Sequence, residues 1–256
     1  MWYLIKAYLK FLKTATNQHG VHSPFVFSFV TKCLYDRKNY TDYLPLQNYR
    51  NELLKSDEVI EVTDFGAGSR VFKSNKRKVK AIAQFAGASF KRMQLLYRVV
   101  SYFKPKSMLE IGTSLGLATS ALALSKTGKL TTLEGCPETS EIARKHLVQS
   151  HISNVEIIKG DFRETLLQVE QNEYDLIYFD GNHSKIATLE YFEQLLPTAQ
   201  NDSVWVFDDI YWSASMTEAW ETIKQHPQVQ VTVDCFWLGF VFFRQEQAKE
   251  HFKIRL

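Results

Sequence analysis

The sequence predicts an α/β protein with a doubly wound, mostly parallel seven-stranded sheet that closes on a C-terminal antiparallel hairpin, preceded by a mainly helical N-terminal extension. Three observations carry this reading. From Met108 onward short apolar runs recur, and most end in an acidic residue or a glycine turn. Helical patterns separate them, and each strand-to-helix repeat takes about 20–30 residues, the length of a right-handed crossover between parallel strands. The last two runs are joined too briefly for a crossover, so they can pair only as antiparallel neighbours.

In order, SMLEIG (107–112), KLTTLEG (129–135), VEIIKGD (155–161), YDLIYFDG (174–181) and SVWVFDD (203–209) read as buried strands. Between and after them, helices are expected at 117–125, 138–150, 162–170, 187–196 and 217–226, where apolar residues recur at helical spacing. VQVTVDCF (229–236) and LGFVFFR (238–244) form the closing hairpin. In the N-terminal half, MWYLIKAYLKFLK reads as a helix with Lys6, Lys10 and Lys13 on one stripe and Trp2, Ile5, Leu9 and Leu12 on the stripe beside it. A membrane surface is one partner for such a helix. Docking on the protein's own core or on a second subunit, as in a homodimer, is the plainer reading. A second helix is expected to start near Ser23-Pro24, where serine caps and proline suits the first turn. A third spans Lys91 to Phe103.

The 256 residues are 45% hydrophobic and 23% charged, which excludes disorder, collagen and a disulfide-stapled miniprotein. No stretch approaches the roughly 18 consecutive apolar residues that span a bilayer, and lysines interrupt the opening run as a signal-peptide core would not tolerate. Three widely separated cysteines match no zinc spacing and suit a reducing compartment, so the expectation is a cytoplasmic protein. The net charge of +3 conceals an asymmetry: residues 1–107 carry 19 basic and 7 acidic side chains, residues 108–256 carry 12 and 21. The chain accordingly reads as a basic extension over 1–90, with a loop at 64–80, and a ligand-binding domain over 91–256. The Asp64-Phe-Gly-Ala-Gly-Ser stretch imitates a nucleotide loop but lacks the following apolar helix, so it reads as a turn. Six basic residues between Arg70 and Lys80 read as a solvated loop rather than a nucleic-acid contact, because no recognised RNA-binding module surrounds them.

In an open parallel sheet the ligand lies beyond the carboxyl ends of the strands. Glu110, Glu134, Asp161, Asp180, Asp208 and Asp209 all fall at such ends. After the first strand, Glu110-Ile-Gly112-Thr113-Ser114-Leu-Gly116 opens onto a helix, a turn where a ligand can approach the backbone closely. It is neither the dinucleotide nor the phosphate-loop glycine pattern, and packing alone can require both glycines. Glu110 would repel a pyrophosphate and accept from an amine. Glu134 can take both hydroxyls of a ribose, and Asp161 with Phe162 can flank an adenine.

LEIGTSLG (109–116), TLEG (132–135), KGDF (159–162) and DLIYFDGNH (175–183) together resemble the class I S-adenosylmethionine-dependent methyltransferases, closest to the catechol-type and bacterial sugar O-methyltransferase group. The resemblance implies a Rossmann-like methyltransferase fold over about 91–256, S-adenosylmethionine as cofactor, and methylation of a small hydroxylated acceptor. It implies that Glu110 and Gly112 lie near the methionine moiety, with Thr113, Ser114 and Gly116 completing the loop. Glu134 would hold the ribose beside Gly135 and Cys136, and Asp161 and Phe162 would border adenine. Asp180, Asp208 and Asp209 correspond to the ligands that hold Mg²⁺ or another divalent cation in catechol-type enzymes; the alternative is that Asp208 caps a helix and Asp209 is solvated. His183 stands where those enzymes carry a basic lysine and would act with Asp180 as the catalytic pair. Tyr211 and Trp212 either wall an acceptor pocket or pack in the core, and Gln94 is a minor candidate contact. Two other readings stay open: a methyltransferase that docks RNA or protein through the basic segment, and a binding protein that keeps the fold without activity.

Overall fold

The structure, a computed structural model, describes residues 2–63 and 72–256. The glycine turn expected at 64–69 and the first residue of the basic run lie outside the described residues. Along the chain come α1 (Trp2–Thr14), α2 (Pro24–Phe29), α3 (Tyr43–Lys55), β1 (Val59–Glu61), β2 (Lys76–Lys78), α4 (Val79–Phe85) and α5 (Phe90–Phe103). They are followed by β3 (Ser107–Ile111), α6 (Leu117–Leu124), β4 (Lys129–Glu134), α7 (Pro137–Gln149), β5 (Val155–Lys159), α8 (Phe162–Leu167) and β6 (Leu176–Phe179). The last elements are α9 (Lys185–Leu195), β7 (Val204–Asp208), α10 (Ala214–Gln225), β8 (Val231–Asp234), β9 (Leu238–Phe242) and β10 (Glu250–Lys253). Helix starts follow local chemistry: α2, α5, α9 and α10 each begin after a serine whose hydroxyl accepts an N–H three residues on.

The chain divides into two compact units, Arg37–Val169 and Met1–Asp36 with Glu170–Leu256. These units do not follow a division at residue 91. In the first unit β3, β4 and β5 are parallel neighbours in that order, with Glu110 opposite Thr132 and Glu134 opposite Lys159. The succession of strand, helix and strand between parallel neighbours is the crossover pattern the spacing predicts. The basic segment differs from its reading as a loop. Lys76–Lys78 pair antiparallel with Val59–Glu61, and Val79 opens a helix. Val79, Ile82 and Ala83 bury one helical face that the surrounding lysines hide from a reading by composition. Asp57 lies 3.2 Å from Lys78 and 2.6 Å from Lys80 on the surface.

In the second unit the order is β10-β8-β9-β7-β6. β6 and β7 are parallel, and the expected hairpin is present as β8 and β9, antiparallel from Val231 opposite Phe242 to Asp234 opposite Gly239. β9 also pairs antiparallel with β7. Every residue of β6 to β9 is buried, which is why these strands read as unbroken apolar runs rather than alternating ones. Gly239 permits this packing: a Cβ there would meet the Trp220 ring at 2.6 Å. The described main-sheet strands number three in one unit and five in the other, one more than the seven expected. The addition is β10, parallel to β8, where only Phe252 is buried and the apolar signal is correspondingly faint.

Candidate functional site

The first unit assembles most of the residues that the sequence points to. Glu110 is fully buried on β3, and its Oε2 accepts from the Thr119 and Thr132 hydroxyls, each at 2.6 Å. Its Oε1 is buried and meets no hydrogen-bond partner among the described residues. Burial pushes the Glu110 carboxyl up to about 8, against the downward pull of the two threonines, with Glu134 adding a smaller upward push. A carboxyl so placed is largely protonated at neutral pH and poised to ionise when a cation arrives.

The loop after β3 is pinned to the end of β4. Gly112 and Thr113 both donate to the Leu133 carbonyl, at 3.0 and 3.2 Å. Thr113 Oγ1 lies 2.7 Å from Thr132 Oγ1, so the same threonine that holds Glu110 holds the loop. The Ser114 N–H donates to Glu134 Oε2 at 2.6 Å, and the Cys136 N–H donates to Oε1 at 2.8 Å. Glu134 is buried, which raises its pKa, while these backbone donors pull the other way. The Thr139 side chain and the Thr113 N–H also favour its charged form. Gly135 is half-buried beside it, and the Gly160 N–H donates to the Glu134 carbonyl, which ties the β5 end to the same place. Gly112, Ser114 and Gly116 take φ of 104°, 48° and 76°. At Gly116 a Cβ would also come within 2.4 Å of the Tyr49 hydroxyl.

Asp161 and Phe162 are half-buried after β5, and one Asp161 oxygen is committed to capping α8 through the Arg163 N–H at 2.9 Å. Gln94 is half-buried on α5. Tyr49 is a member that no local sequence pattern marks. It is buried on α3, its hydroxyl donates to the Leu115 carbonyl at 3.0 Å, and burial followed by the nearby Glu110 raises its pKa far above the usual phenol range. The β1 end also reaches this site: the Glu61 N–H donates to Glu138 at 2.8 Å and the Thr63 N–H to Cys136 Sγ at 3.4 Å.

Asp180, His183, Asp208 and Asp209 belong to the second unit. His183 Nε2 lies 3.7 Å from Asp180 Oδ1, both partly exposed, and its ring centroid is 6.2 Å from that of Trp212. The expected convergence of Asp180, Asp208 and Asp209 on one cation is not found: among the described residues no three His, Cys, Asp or Glu side chains gather closely enough to hold a metal ion. Asp208 is buried and its Oδ1 accepts from its neighbour's N–H at 2.9 Å, while Asp209 takes φ 51° and donates the same N–H to the Trp237 carbonyl. Tyr211 is a packing residue: it is buried, stacks on Phe236 at 4.7 Å and donates to Asp234 Oδ2 at 2.7 Å.

Residues 109–210 match a family model described as a methyltransferase domain. A protein-L-isoaspartate O-methyltransferase of Methanococcus vannielii is 35% identical over 94 residues, 36% of this chain and 44% of that protein. A catechol O-methyltransferase of Niastella koreensis is 31% identical over 126 residues, 47% of this chain and 55% of that one. The chain thus spans about half the length of the curated relatives it matches. The SAH-bound methyltransferase PaMTH1 of Podospora anserina superposes with a TM-score of 0.62 at 15% identity, covering 87% of this chain and 97% of that one. At that identity the likeness is one of fold.

Proposed function

We propose that this chain, in which residues 109–210 match a methyltransferase domain, transfers a methyl group from S-adenosylmethionine to a hydroxyl oxygen of a small acceptor. The observation that carries the reading is Glu110: a fully buried carboxyl, held by two threonines, with one oxygen unpartnered beside a glycine loop. The two threonines use Oε2, and an ammonium group would use Oε1. When bound, the cofactor supplies an electrophilic methyl group on a sulfonium. Glu110 would accept from the amino group of its methionine moiety, and Glu134, held by the Ser114 and Cys136 N–H groups, would accept from the ribose hydroxyls. Asp161 and Phe162 border the adenine. His183 would take the acceptor's proton on its ring, with Asp180 Oδ1 3.7 Å from Nε2 to orient it. Among the described residues no three potential ligands gather into a metal site, and no cation is given a role in the reaction.

Calorimetric titration of S-adenosylmethionine into the full chain tests this assignment. Saturable binding that Glu134→Ala weakens by tenfold or more, about the loss of two charge-assisted hydrogen bonds, is expected. Binding unchanged in that variant would remove Glu134 from the site. Loss of turnover with retained cofactor binding in His183→Ala separates the proton acceptor from the cofactor pocket.

A further inference from the structure

We propose that α1 is a docking surface for an anionic lipid bilayer, lying along the headgroups with Trp2, Ile5 and Leu9 inserted and Lys6, Lys10 and Lys13 against the lipid phosphates. At about 100° per residue, one side of this 13-residue helix carries Phe11, Leu4 and Ala7. That side faces the protein: Phe11 is buried, with its ring 5.4 Å from that of Phe236 and 6.3 Å from that of Tyr211. The opposite arc carries Ile5, Leu9 and Trp2, which are 47%, 55% and 79% exposed. The same arc continues directly into Lys13, Lys6 and Lys10, all exposed.

Single exposed apolar side chains are ordinary; three on one arc, one of them a tryptophan, mark a surface that something covers. The protein's own core is not that cover, since the core side of α1 is the Phe11 side. Charge identifies the occupant. The helix has three lysines and no acid, and the first acidic residue of the chain is Asp36. An anionic bilayer satisfies both halves of the arc together: apolar groups enter the acyl boundary, tryptophan settles at the interface, and lysine stems reach back to phosphate. A second copy of α1 carries the same lysines and no acid, so it offers this helix no charge partner. Trp237, 47% exposed, has its ring 4.8 Å from that of Phe236, on which Tyr8 also packs, and adds a second aromatic on this edge. Tyr3 donates to Thr217 on α10 at 2.6 Å, so the helix is fastened to the segment that follows β7. Among the described residues no helix is long and apolar enough to cross a membrane.

Co-sedimentation of the full chain with phosphatidylcholine vesicles, with and without phosphatidylglycerol, tests the proposal. The expected result is binding that depends on phosphatidylglycerol and weakens with added salt. Each of Lys6→Gln, Lys10→Gln and Lys13→Gln should lower partitioning about fivefold at low salt. The double variant Ile5→Ser, Leu9→Ser should lower it about tenfold or more with an unchanged urea midpoint, because both positions are exposed. Equal recovery on the two vesicle types, or undiminished binding by the double variant, overturns the proposal. So does self-association of the wild-type chain, read by sedimentation equilibrium, that the double variant abolishes while no vesicle binding is seen; that outcome gives the face to a second copy.

Discussion

Replacing Glu110 with glutamine isolates what it costs this fold to hold a carboxyl in a fully buried strand position. Glutamine keeps the shape, and its carbonyl oxygen can accept from Thr119 and Thr132 as Oε2 does, but it does not ionise. In the folded wild type the carboxyl titrates near 8, against 4.5 for an ordinary glutamate. Because the folded value is the higher one, the stabilising contribution of the proton is complete below about pH 4.5 and is lost as pH rises through about 8. Between those limits the unfolded chain ionises while the folded one resists, and stability falls by about 1.4 kcal/mol per pH unit. The whole span corresponds to on the order of 5 kcal/mol as an upper bound, reduced to a few by local relaxation. Urea unfolding of wild type and Glu110→Gln at constant ionic strength, from pH 5 to 9, cancels every other titrating group. The variant should gain on the wild type steadily up to about pH 8 and stay level beyond it. A difference between the two proteins that does not vary with pH over this range would refute the reasoning.

Four further outcomes are expected. If the Glu110 carboxyl receives a cationic ligand, binding of S-adenosylmethionine at pH 7 releases close to one proton, read by calorimetry in buffers of different ionisation enthalpy, and Glu110→Gln abolishes the release. Gly116→Ala places a Cβ 2.4 Å from the buried Tyr49 hydroxyl at a φ of 76°, and should lower unfolding free energy by about 2–4 kcal/mol in urea titration. Tyr211→Phe removes one donor from the buried Asp234 carboxylate but leaves the Phe236 N–H in place, so a loss of about 1–2 kcal/mol is expected in the same assay. Turnover should be insensitive to a chelator, because the acidic residues after β6 and β7 do not form a cation site; inhibition that Mg²⁺ reverses would show that they do.

The elements that the sequence announced are those whose cause is local. A serine three residues before a helical N–H, a run of apolar residues that must be covered on both faces, and a connection too short for a crossover each act within a few residues, and α2, β6 to β9 and the closing hairpin appear where those signals stand. The acids at strand ends were legible for the same reason: chain direction alone puts them at the carboxyl edge, and Glu110 and Glu134 meet there across Ser114 and Thr132. β10 and the β1–β2 pair were hidden because a short strand with one buried side chain has no periodicity to read.

What required tertiary structure is everything that depends on a distant partner or on which way a side chain turns. Tyr49 closes the glycine loop from 66 residues away, and no local pattern encodes a contact of that separation. Asp208 and Asp209 sit at the expected strand end, but whether such acids gather with a third ligand depends on side-chain placement, and among the described residues no such group is found. The charge asymmetry divides in the same way. Its size is a property of the sequence, whereas the placement of Lys6, Lys10 and Lys13 beside an uncovered apolar arc follows from Phe11 having taken the inward side of α1, which only packing against Tyr211 and Phe236 determines.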